Sequence, residues 1–231
     1  MLVDIFSSFD DNNQVFMSLY ILMWLFSLVT ILTFSTSFWL NYPRWMSFMY
    51  LLKDTVSSQI FRSYGLFIGG FANVVAALFM FLILMNLCGL TPYVFSVTSH
   101  LSVSLSLGAP LWFLLILSAV VFNPSSVVAG LLPMGAPAPL NPFLVIIETV
   151  SILVRPITLS VRLTANMSAG HIVLTLIGSF LTSSIFMSSI PTTLSLLAIQ
   201  VLYTIFEFGI ALIQAYIFCL LITLYSDEHP H

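Results

Sequence analysis

PFLVIIETVSILVRPITLSVRLTANMSAGHIVLTLIGSFLTSSIFM, residues 142–187, decides the fold. The stretch is apolar along nearly its whole length, yet it is too long for an ordinary membrane span. At ~1.5 Å per residue one helix would reach roughly 65 Å, about twice the ~30 Å of a bilayer core. Such a helix has to tilt strongly or break. After SSIPTT a second apolar run, LSLLAIQVLYTIFEFGIALIQAYIFCLLITLY at 194–225, leads into the polar tail SDEHPH. Together they predict a long tilted helical hairpin over 142–187 and 191–226.

The rest of the chain reads the same way. Of its 231 residues 60% are hydrophobic and 6% charged, too few charges to coat a soluble core of that size. Residues 16–40 carry no charge and form a first span. Residues 43–64, NYPRWMSFMYLLKDTVSSQIFRSY with its flanks, mix Arg44, Lys53 and Arg62 with aromatics and aliphatics, the pattern of a segment lying in the interface. These are three of the five basic residues, and the positive-inside rule puts this loop inside and the acidic N-terminus outside. A second span, 65–87, stops at Gly89 and Pro92, and a third covers 101–122. Residues 123–141 are too short and too rich in Pro and Gly to cross, and read as a short helix or re-entrant connector. The expectation is one integral membrane domain over 1–231, all-α and polytopic, with about five to six membrane helices.

Several classes of function drop out. A net charge of −3 from few charged residues leaves no nucleic-acid patch. Cys88 and Cys219 stand in apolar runs without a CxxC pair, so neither a metal site nor a disulfide framework is expected, and no cofactor. No GxxxxGK[ST] loop occurs, so direct nucleotide binding is not expected. The start, MLVDIFSSFDDNNQ, lacks a basic n-region and a small-residue cleavage site, and does not read as a targeting peptide.

What remains are the ionisable residues inside the apolar runs. A central Arg costs on the order of 2.5–3.5 kcal/mol on insertion scales, so each is a functional candidate. Glu148, Arg155 and Arg162 recur at intervals of seven, which fall about 20° short of two full turns and so share one helix stripe; Asn166 extends it. Gln200, Glu207 and Gln214 repeat the interval on the last helix. In an antiparallel hairpin, level residues have position numbers with a nearly constant total. Arg162 with Gln214, and His171 with Glu207, meet that condition, and Glu148 falls level with Asp227 and Glu228. At ~100° per residue His171 lies about 180° around the helix from Arg162, so the two face different surroundings. An Arg cannot be deprotonated, and a permanent cation near titratable Glu and His suits a proton relay that must not leak.

RPITLSVRLTANMSAGH, followed by FEFGIALIQAYIF and preceded by NLCGLTPYVF, resembles subunit a of the F-type ATP synthase in its mitochondrial form. The resemblance implies that Arg162 is the essential fixed charge, with Asn166 and Gln214 beside it. It further implies a proton path through His171, Glu207 and Glu148. Arg155 receives no catalytic role. Implied partners are a ring of carboxyl-bearing c subunits, against which the hairpin would lie, then peripheral-stalk and small accessory membrane subunits, and lipid such as cardiolipin. The implied activity is that of the stationary proton-translocating subunit, with two offset half-channels and no catalysis of its own. The implied place is the mitochondrial inner membrane, with the N-terminus on the intermembrane-space side. Two alternatives stand beside it. One is a structural subunit whose buried ions only fix assembly. The other is a free-standing proton-coupled transporter, against which the absence of an internal repeat speaks.

Overall fold

The computed structural model describes residues 9, 25, 28–29, 44–63, 65, 69–91, 95–132, 140–187 and 190–229. Apart from Leu25, Leu28 and Val29, which are helical, the expected first span lies outside them. The described elements are α1 (Arg44–Ile60), α2 (Phe71–Gly89), a 3-10 turn (Val97–Ser99), α3 (Leu101–Phe122), α4 (Pro124–Gly130), α5 (Asn141–Met187) and α6 (Ile190–Asp227). All of them are helical, and α2, α3, α5 and α6 are long and apolar enough to cross a membrane. The chain is an all-α polytopic membrane protein.

Lipid gives no hydrophobic drive for helices to associate, so close packing has to do it, at ~0.1–0.2 kcal/mol per well-placed atom pair. The core gathers around the second half of α6, where Ala215, Phe218, Cys219 and Ile222 meet Phe71, Val75, Phe79 and Leu82 of α2 and Leu159 and Leu163 of α5. Val56 and Ile60 of α1 join it, while Lys53 and Asp54 on the other face of α1 stay exposed. Gly70, with φ of 83°, turns the chain into α2 through a left-handed conformation that other residues adopt with difficulty.

The contact between α3 and α5 depends on small residues. A Cβ on Gly108 would stand 3.0 Å from Ser160 Oγ and 3.2 Å from Leu159, so a larger side chain would have to push these neighbours back. Pro156 inside α5 removes one backbone donor, a lost bond that neighbouring helices and hydroxyls can offset in a membrane. Ser160 Oγ lies 2.8 Å from the Pro156 carbonyl and 3.3 Å from that of Ser104 on α3. The helix runs through without a break. Its 47 residues span about 70 Å, so α5 has to lie steeply tilted in a bilayer.

α5 and α6 run antiparallel as neighbours. Gly170 meets Glu207, Asn166 meets Gln214, and Arg155 meets Glu228, in order from the tip toward the base where α5 begins and α6 ends. α2 and α3 cover the base half. Most residues of α6 before Glu207 are exposed.

Candidate functional site

Toward the tip, Glu207 is 2% exposed, unusual for a carboxyl group. It sits against the backbone of Gly170, where a methyl group would overlap the carboxylate. His171 follows directly on α5, half-buried, with the edge of Phe9 against its ring at 6.3 Å between centroids. Two polar atoms here, Glu207 Oε1 and His171 Nε2, are buried with no hydrogen-bond partner among the described residues, and Gln200 Oε1, two turns earlier on α6, is a third. Buried polar atoms are nearly always satisfied, so these are places where a water or a group from outside the chain can bind.

At mid-hairpin, Asn166 Nδ2 donates to Gln214 Oε1 at 2.7 Å, and Gln214 is 3% exposed. Asn86, fully buried on α2, donates to the Ala211 carbonyl at 3.3 Å and ties α2 to the turn of α6 before Gln214. Arg162, one turn from Asn166 toward the base, is exposed and has no ion-pair partner among the described residues. It shares its uncovered strip with Ile157, Val161, Ala165 and Ala169. The strip is apolar and, at the two alanines, flat enough for another helix to approach closely.

At the base the charges are paired. Arg155 forms an ion pair with Glu228 and lies 3.8 Å from Glu148, with its guanidinium 5.2 Å from the centre of the Tyr225 ring. A cavity of about 360 Å³ opens beside them, walled also by Trp112, Ser126 and His229.

The sequence-derived candidates therefore occupy three levels of one hairpin. Glu207 meets Gly170, the residue before His171, one turn nearer the tip than the Asn166–Gln214 pair at mid-hairpin, and Glu148 lies at the base. The depth match of Arg162 with Gln214 is replaced by Asn166 with Gln214. Packed helices cross at an angle, so the pairing drifts along the hairpin from the ideal constant total. Gly170, Asn86 and Glu228 were not singled out as site residues in the sequence. Asn86 had a readable signal, an amide inside FMFLILMNLCG; Gly170 had none, since its contribution is the absence of a side chain.

Ionisable and amide side chains strung along two long membrane helices define an ion-translocating helical membrane protein. The model of the family described as ATP synthase A chain matches residues 15–227. ATP synthase subunit a of Artemia franciscana is 40% identical over 99% of this chain and 100% of its own length. The Drosophila melanogaster subunit a is 37% identical over 99% of each. ATP synthase F(0) complex subunit a of Tropidurus montanus is 39% identical over 84% of this chain and 92% of its own. The chain belongs to the ATP synthase subunit a family, the membrane proton-channel component of ATP synthase.

Proposed function

We propose that this chain is the stationary half of a rotary proton motor, with two half-channels that end at different depths against a ring of carboxyl-bearing c subunits. The single observation that carries the reading is Arg162. A permanent cation on an apolar, uncovered helix strip is too costly to leave in lipid, so it calls for an anionic partner from outside the chain. A ring carboxylate supplies that charge, and the flanking alanines allow its helix to approach.

Protons enter from the tip side through His171 and Glu207, both of which carry a buried atom without a partner among the described residues, and pass to a ring carboxyl group. After almost a full turn they leave toward Glu148 at the base. Arg162 stands between the two routes. It draws the arriving carboxyl group into its ionised form and blocks a direct hop, as a neighbouring opposite charge does to any acid. Each proton crossing releases about 2.3 kcal/mol per 100 mV, and the offset between the routes turns that into rotation. Asn166 and Gln214 hold α5 and α6 in register beside Arg162.

The base is the inner side. Arg44, Lys53 and Arg62 are exposed on and just after α1, which packs on the base half of α6, in keeping with the positive-inside rule. The N-terminus then lies on the intermembrane-space side of the mitochondrial inner membrane. On its own the chain catalyses no reaction; nucleotide chemistry belongs to other subunits, and peripheral-stalk and accessory membrane subunits hold it still. The test is Arg162→Ala in the assembled complex. Loss of both proton-driven ATP synthesis and ATP-driven pumping is expected, with assembly retained; normal pumping by the assembled variant overturns the reading.

A further inference from the structure

The two arginines of α5 stand in opposite circumstances. Arg162 is exposed with no ion-pair partner among the described residues, whereas Arg155 is neutralised inside the chain. Its guanidinium is held between Glu228 and Glu148 and lies over the face of Tyr225 at 5.2 Å. An Arg stays protonated, so Arg155 cannot pass a proton on; what it can do is fix the places of the two carboxylates beside it. One of them, Glu148, lies on its own helix two turns earlier. The other, Glu228, belongs to the C-terminal tail just beyond α6, and is brought back onto α5 by this pair alone among the described ion pairs.

The next tail residue has a separate anchor. His229 Nε2 is 3.2 Å from Ser118 Oγ on α3, and its ring packs beside Phe122 at 6.0 Å between centroids. The tail is therefore stitched at consecutive residues to two different helices. Between those stitches lies the cavity of about 360 Å³, with Glu148, Arg155, Glu228 and His229 all on its wall. It is large enough for several waters, and Glu148, Arg155, Glu228 and His229 on its wall offer them hydrogen-bond partners.

We propose that Arg155 is a positioning residue that latches the C-terminal tail over this cavity, so that Glu228 and His229 complete a hydrated vestibule at the inner mouth of the proton path. The inference rests on the reading of Glu148 as the acid of that path. A broken latch frees Glu228 and lets the tail swing away, and Glu148 loses the cation that orients it toward the water.

The experiment measures passive and ATP-driven proton flux per assembled complex in membrane vesicles for Arg155→Gln, Glu228→Gln, Arg155→Lys, the exchange Arg155→Glu with Glu228→Arg, and Glu148→Gln. Arg155→Gln and Glu228→Gln should each lower flux about two- to threefold, the size expected of a half-exposed ion pair. Arg155→Lys and the exchange should recover most of it. In the Glu228→Gln background, a cysteine placed at Ser126 on the cavity wall should react faster with a water-soluble thiol reagent added from the inner side. The side chain of Glu228 is 51% exposed, so its variant reads the latch even where Arg155→Gln fails to assemble. Parent-level flux in both single variants, with Glu148→Gln impaired, overturns the latch and leaves the half-channel standing. A loss that neither Arg155→Lys nor the exchange relieves also overturns it. If Glu148→Gln has no effect, the path itself is wrong and the latch goes with it.

Discussion

Gly170 and Glu207 meet so closely that the Glu207 carboxylate occupies the space a Cβ on residue 170 would fill. The buried acid thus has a seat made by a missing side chain on the facing helix. Gly170→Ala should push the carboxylate aside while leaving the helices in place, because Ala is the better helix former by about 1 kcal/mol. Proton flux through the assembled membrane sector is expected to fall about tenfold or more, since small misplacements of a reacting group carry large losses. Pairing the change with Glu207→Asp, which draws the carboxylate back by one methylene, should restore part of the flux. Undiminished flux in Gly170→Ala would show that the position of Glu207 is immaterial.

His171 and Glu207 are expected to work as one unit, because both present buried atoms without partners among the described residues, on facing helices one residue apart in register. His171→Gln and Glu207→Gln keep the volume and remove the titrating group. Each should slow proton flux about tenfold or more, within the range that loss of an acid–base group produces. Exchanging the two residues should recover a measurable part, since acid and base are then both present with their helices swapped. Proton uptake measured with a pH-sensitive dye in vesicles checks this, and equal flux in the parent and both single variants refutes it.

The legible part of this protein was what length and periodicity express. An apolar run at 142–187 that exceeds a bilayer, with a second run behind it, leaves little besides a long hairpin, and α5 is a single helix. The intervals of seven put Glu148, Arg155 and Arg162 on one stripe, but could not say which of the two arginines would be neutralised. That depends on where the tail of α6 folds, and the sequence SDEHPH has no periodicity from which to read it. The crossing of α3 over α5 at Gly108 and Ser160 was illegible for a related reason. Glycine and serine are common in membrane helices, and only the three-dimensional approach shows which of them carries a contact.

The Asn166–Gln214 hydrogen bond should hold register as well as contribute stability. Membrane hydrogen bonds between side chains average about 0.6 kcal/mol and reach about 1.7, and this one, at 2.7 Å with Gln214 buried, belongs toward the upper end. Asn166→Leu orphans the buried amide of Gln214 and should lower the thermal stability of proton flux by an amount corresponding to about 1–2 kcal/mol, whereas Gln214→Leu leaves only the half-buried Asn166 unpaired and should cost less. The double variant leaves no amide unpaired, so its loss should be smaller than the two single losses added together. Coupling should behave differently. With the peg gone α5 can turn relative to α6, and Arg162, one turn away, loses its fixed bearing toward the ring; the double variant should therefore regain stability without regaining tight coupling between flux and ATP synthesis. Heat-inactivation curves and the ratio of ATP made to protons passed separate the two effects, and recovery of both together would mean that the bond serves stability alone.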